Sequence, residues 1–292
     1  MRRLGAALET ALVLGRVSNL PTVWTNGLAG WVVAGGSPLD PALLPLLAAL
    51  SAFYVGGMYL NDAFDAAIDA RHRPERPIPS GRVAAGTVFF LGMLLLLAGL
   101  GLLLATTATS GRDPTAAQLH GLLLALCILV YDFRHKELAA SPLLMGACRG
   151  LVYLLAGACV VPLPSTALGL AALAGFAHVV GLSWVARQEH PLRREAAWPL
   201  ALFALSPIVG LGFALAHPLG LVSWLALVAA SGMALALFAR RRPGDVGRAV
   251  ALLIAAICLL DGCLLATAGW PALLGPSGFA LTLLLQPLVR GT

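Results

Sequence analysis

The side chains able to do chemistry crowd into one stretch, Asn61 to Arg82, which reads NDAFDAAIDARHRPERPIPSGR. On a helix turning about 100° per residue, Asn61, Asp62, Asp65 and Asp69 project within roughly a quarter-turn. Carboxylates crowded on one face repel each other, and a divalent cation removes that cost. Oxygen-only ligands select a hard ion such as Mg²⁺, which keeps waters and shares its shell with substrate phosphate. Arg71, Arg73 and Arg76 follow, and guanidinium forks match phosphate oxygens. Pro74, Pro77 and Pro79 end the helix and stiffen the loop. Metal-type acids beside anion-type arginines predict an Mg²⁺-diphosphate site. The competing reading, a solvated loop of internal salt bridges, has no need of three acids on one face.

The elements that must position these residues are membrane helices. Of 292 residues, 59% are hydrophobic and only 11% charged, too little polar surface for a soluble chain of this length. The fold class expected is an all-α, polytopic helical bundle forming a single domain over residues 1–292. A span needs about 20 apolar residues. Nine segments qualify, at roughly 17–35, 42–62, 83–107, 117–133, 142–161, 166–186, 198–216, 219–239 and 248–269. Residues 1–16 read as an amphipathic lead-in helix at the interface, and 277–289 as a short interfacial or half-inserted tail helix. The five cysteines lie in apolar runs without metal-ligand spacing and read as small buried hydrophobes.

Basic residues set the orientation. Arg2, Arg3, Arg16, Arg71, Arg73, Arg76, Arg82, Arg134, Lys136, Arg187, Arg193, Arg194, Arg240, Arg241, Arg242 and Arg248 fall on one set of loops. That is sixteen of the 19 Lys and Arg, which places the N-terminus and the charged loops in the cytoplasm of a bacterial inner membrane. One-sided polar loops argue against a transporter. The expected surroundings are the lipid bilayer, and nucleic acid is not an expected partner.

The pattern Asn61-x-x-x-Asp65-x-x-x-Asp69, followed by Arg73-Pro74, Arg76-Pro77-Ile78-Pro79 and Gly81, resembles the first aspartate-rich motif of the UbiA superfamily of intramembrane prenyltransferases. "GRVSNLPTVWTNGLAG" and "YDFRHKELAASPLLMGACRG" are similar to further segments of that family. The resemblance implies a nine-helix bundle around a chamber. In it a polyprenyl diphosphate binds through Mg²⁺, ionises, and alkylates an acceptor that is aromatic or lipid-like. It implies Asn61, Asp65 and Asp69 as metal or diphosphate ligands, Lys136 as a diphosphate contact and Tyr131 as a stabiliser of the allylic cation. Arg71 and Arg76 are further diphosphate candidates. Asp62 fits the motif or faces outward to cap the bundle. Asp132 stands where relatives often carry a small polar residue, with no role assigned.

The family's second motif, Asp-x-x-x-Asp after the sixth span, is absent. "SWVARQEHPLRREAAWP" offers Glu189 and Glu195 instead. Either Glu189 binds metal, with Gln188 and Arg187 contacting substrate, or the second metal is lost. The Ala-Arg-Gln-Glu run is similar to the EboC-like branch of the superfamily. Within the spans, Arg149 either reaches the diphosphate or an acceptor carboxylate, or pairs with a helix carbonyl or Asp132. Asn19 lines the site. Asn26 reads as a helix–helix hydrogen bond, Asp261 as a hydrogen-bonded core acid, and His178 as structural. Three functions stay open: prenyl transfer; terpene cyclisation without an acceptor; and a catalytically lapsed isoprenoid binder working with membrane assembly partners.

Overall fold

The computed structural model describes residues 2–136, 138–187 and 198–289. The described chain is helical: α1 (Arg2–Leu14), α2 (Leu20–Val33), α3 (Leu43–His72), α4 (Ala85–Ser110), α5 (Thr115–Arg134), α6 (Ser141–Ala158), α7 (Thr166–Arg187), α8 (Trp198–Phe203), α9 (Leu205–Ala214), α10 (Pro218–Arg240), α11 (Asp245–Leu265) and α12 (Leu274–Leu285). Seven of these, α3 to α7, α10 and α11, are long and apolar enough to cross a bilayer.

The nine-segment expectation meets two departures. The segment at 17–35 becomes a 3₁₀ turn at Val17–Asn19 followed by α2, only 14 residues long. Arg16 precedes it in the left-handed region at φ 44°, which breaks the helix from α1, and Pro21 then sits in the first turn of α2. The segment at 198–216 is split at Ala204 into α8 and α9. Pro207 lacks the N–H that would bond Phe203 and its ring crowds that carbonyl, so the chain restarts. The 277–289 piece forms α12, which packs against α11 and α2.

Neighbouring helices pair as α3–α4, α6–α7 and α10–α11, with α2 and α12 against α11 and α2 against α6. Small residues permit the closest approaches. A methyl group on Gly56 of α3 would lie 3.0 Å from the Gly92 carbonyl oxygen of α4, and one on Gly30 of α2 2.6 Å from the Tyr153 oxygen of α6. The glycine pair 56–57 thus serves close packing, since α3 runs unbroken through it. Two deeply buried polar residues between helices are well matched. Fully buried Asp261 accepts from Thr25 Oγ1 (2.6 Å) and Tyr153 Oη (2.5 Å). His178 bridges Ser206 Oγ and the Leu253 carbonyl. All five cysteines are free.

Candidate active site

The last three turns of α3 carry the acids. The helix continues ten residues past the expected end of its span, to His72, so Asn61, Asp65 and Asp69 stay on one stripe at i, i+4, i+8. All three line a cavity of about 910 Å³. After His72 the chain turns back: Ser80 N bonds the Arg76 carbonyl, Arg82 N bonds that of Pro77, and Gly81 takes φ 75°, which glycine adopts without strain. The turn lays Arg76, only 5% exposed, over the end of α3. Its Nη1 lies 2.7 Å from Asp69 Oδ2 and 3.5 Å from Asp62 Oδ1. Arg16 Nη2 reaches Asp62 Oδ1 at 3.2 Å.

The opposite wall comes from the end of α5 and the turn after it. Lys136 Nζ contacts Asp65 Oδ1 at 2.7 Å, and His135 Nε2 stands 3.5 Å from Asp65 Oδ2. Burial acts to lower the His135 pKa, but the hydrogen bond to Asp65 and its charge outweigh burial and leave it raised. The Tyr131 ring stacks on His135 at 5.0 Å between centroids. Arg16, Arg73 and Lys136 bring positive charge to the cavity, and Ser18, Asn19 and, from α12, Gln286 bring neutral polar groups. Val250, Ala251 and Ile254 of α11 form its apolar side.

A second, smaller cavity of about 120 Å³ lies behind, lined by Phe53, Ile128, Met145 and Val152 among other apolar side chains. Tyr131, Asp132 and Arg149 are on its wall. The Asn61 amide nitrogen donates to Asp132 Oδ1 at 3.1 Å. Since Asn61 lines the polar cavity and Asp132 the apolar one, this hydrogen bond marks the border between them.

A family model described as the UbiA prenyltransferase family matches residues 21–249. The chain belongs to the UbiA prenyltransferase family. Among its relatives are a digeranylgeranylglyceryl phosphate synthase of Methanopyrus kandleri, 31% identical over 59% of this chain and 61% of that one, and a protoheme IX farnesyltransferase of Korarchaeum cryptofilum, 37% identical over 44% and 42%. These matches span less than two-thirds of either relative's length. A solved structure from work on digeranylgeranylglyceryl phosphate synthase in membranes has a TM-score of 0.54 at 16% identity, over 99% of this chain and 96% of that one. At that identity the likeness speaks to the fold.

Within this UbiA-family bundle the sequence-predicted residues divide. Asn19, Asn61, Asp65, Asp69, Arg76 and Lys136 meet at the polar cavity. Asp62 neither caps the bundle outward nor lines the cavity, because Arg16 and Arg76 hold it. Arg71 is exposed on α3 one residue before its end, off the cavity wall. Arg73 takes its place: it leaves helical geometry at φ −145° and lines the cavity. Arg187 donates to the Ala139 carbonyl at 2.7 Å and is not on the cavity wall. Arg149 bonds the Thr22 carbonyl and Asn26 Oδ1, each at 3.2 Å, the kind of structural pairing the sequence offered as one alternative, while it also lines the apolar cavity. Tyr131 belongs to the apolar cavity. Gln188, Glu189 and Glu195 lie outside the described residues.

Three contributors escaped sequence reading. His135 sits beside Lys136 but showed no spacing signal. Gln286 is a lone amide in an apolar tail. Arg16 was legible only as the first arginine of the "GRVSNLP" segment. Among the described residues no three acidic, His or Cys side chains converge. Mg²⁺, however, is ordinarily held by one or two carboxylates together with substrate phosphates. The oxygen donors of Asp65, Asp69 and Asn61 on one cavity wall fit such an open shell.

Proposed function

We propose that this protein transfers an isoprenoid chain from a polyprenyl diphosphate to an aromatic or lipid-like acceptor, with Mg²⁺, at the cytoplasmic face of a bacterial inner membrane. The observation carrying this reading is the adjacency of two unlike cavities. One combines carboxylates with arginine and lysine, and the other is apolar and begins at Tyr131. A diphosphate with a prenyl tail has this same division, an anion on a hydrocarbon. The sidedness rests on sixteen of 19 basic residues sharing one set of loops.

Arg16, Arg73 and Lys136 are the cations that would meet the diphosphate, with Arg76 fixing Asp69 from beneath. Mg²⁺ at Asn61, Asp65 and Asp69 would neutralise charge building on the leaving group. Lys136 then exchanges Asp65 for a diphosphate oxygen. The C1–O bond breaks with its electron pair leaving on the diphosphate. The allylic cation is held beside the electron-rich face of Tyr131, in a space whose apolar walls keep water out. An acceptor nucleophile bonds to C1, and the proton it loses passes to the departing diphosphate. Asn19, Ser18 and Gln286 are the neutral groups placed to orient that acceptor.

The test uses purified protein, Mg²⁺ and radiolabelled prenyl diphosphates of different lengths. Diphosphate release that requires a co-added acceptor is the expected result. Release with a cyclised hydrocarbon would instead support a cyclase, and Mg²⁺-dependent binding without release a lapsed enzyme. Asp65→Asn is expected to lower release at least a hundredfold; unchanged turnover would sink the catalytic reading.

A further inference from the structure

Asp132 has no part in the motif that defines the site, yet it is buried, 4% exposed, at the border of the two cavities. Its Oδ1 accepts the Asn61 amide at 3.1 Å, and its Oδ2 has no hydrogen-bond partner among the described residues. A buried carboxylate oxygen left unmatched is destabilising. Stability is therefore a poor explanation for this side chain, and an amide replacement, which keeps a partner for Asn61, should not weaken the fold. The hydrogen bond to Asn61 is what the burial obtains.

An asparagine amide has two ends of nearly equal shape, an oxygen that can bind a cation and a nitrogen that cannot. Nothing in the Asn61 side chain itself decides which end enters the cavity. Asp132 does, because it offers Oδ1 where the nitrogen must then lie, leaving the amide oxygen for the cavity that Asn61 lines. We infer that Asp132 is a positioning residue: it locks the Asn61 amide with its oxygen turned toward the Mg²⁺-diphosphate. This rests on the function proposed above. It makes the α5 acid an outer partner of an α3 ligand, the kind of contact whose loss typically weakens metal affinity about 10- to 100-fold.

The experiment is a double-mutant cycle on the full chain in detergent. It reads Mg²⁺-dependent binding of inorganic diphosphate by calorimetry and unfolding by thermal denaturation. Asp132→Asn keeps the shape but can itself donate to Asn61, permitting the flipped amide. It is expected to weaken Mg²⁺-dependent binding about tenfold without lowering the unfolding temperature. In an Asn61→Ala background the same change is expected to have less than about a twofold effect, because the partner it acts through is gone. Equal losses in both backgrounds, or no loss in the wild-type background, would overturn the inference. Wild-type protein that binds no diphosphate at any Mg²⁺ concentration would overturn the functional reading and this inference with it, a different pattern from either.

Discussion

Arg76 is the residue on which the geometry of the acidic stripe turns. It comes from a loop, yet it is 5% exposed and sits between Asp69 and Asp62. Removing one partner of a buried ion pair strands the other, typically at about 3–5 kcal/mol. Arg76→Ala is therefore expected to lower the thermal midpoint in detergent markedly, and adding Asp69→Asn to recover part of the loss by removing a stranded charge. Arg71→Ala, in contrast, should leave stability and diphosphate binding near wild type, because Arg71 is exposed and off the cavity wall. If Arg71→Ala impairs binding as much as Arg73→Ala, the assignment of these two arginines is reversed. The four-residue period of Asn61, Asp65 and Asp69 was legible in the sequence because helical geometry alone puts them on one face. The choice between Arg71 and Arg73 was not, because it depends on where the helix ends. Asp62 was ambiguous for a related reason: its angle agrees with the stripe, and only a loop arginine seven residues past Asp69 and another before α2 decide which way it is held.

At the scale of elements, close helix approach is set by glycines with no room for a methyl group. At Gly30 the obstruction is Tyr153 backbone at 2.6 and 2.9 Å, which cannot swing aside, so α2 and α6 must part. Gly30→Ala is expected to destabilise by about 1–3 kcal/mol. Gly101, in the middle of α4 with nothing within 4 Å, is the contrasting case. Gly101→Ala should be neutral or stabilising by up to about 1 kcal/mol. Thermal unfolding of both variants checks the pair, and equal effects would mean the α2–α6 contact is looser than described. Hydropathy located every long helix because apolar runs of membrane length are hard to mistake. It missed the split at Ala204, where a single proline inside an apolar run is a weak signal, and the extension of α3 past its span, where polar residues hide a continuing helix. The packing of α12 on α11 and α2 was not legible either, since the close approaches of Gly275 to Gly262 and of Gly278 to Thr25 are long-range facts that no local window contains.

The whole molecule is asymmetric across its thickness. The polar cavity opens among the loops that hold most of the arginines, whereas Asp113, in the turn between α4 and α5, lies at the other end of α4 from Ser80. Single cysteines at these two exposed positions test the proposed sidedness. Ser80→Cys should react with a membrane-impermeant thiol reagent only from the cytoplasmic side, and Asp113→Cys only from the outer side, against the background of the five native cysteines. Labelling in the opposite sense would invert the topology and place the proposed chemistry outside the cell. The acceptor is the part least legible in the sequence. Of the groups proposed to orient it, Asn19 was legible as a site residue, whereas Ser18 and Gln286 gain meaning only when the bundle brings them to the same cavity.

Ser18 Oγ donates to the Val289 carbonyl at 3.2 Å, joining the segment before α2 to the segment after α12 at the wall of the polar cavity, which both residues line. The α3 acids precede Gln286 in the chain by more than two hundred residues. The charged half is therefore made early, and the wall around it is complete only once α12 is in place. Under the proposed function, a bundle without α12 would hold the diphosphate ligands but lack the Gln286 side of their cavity.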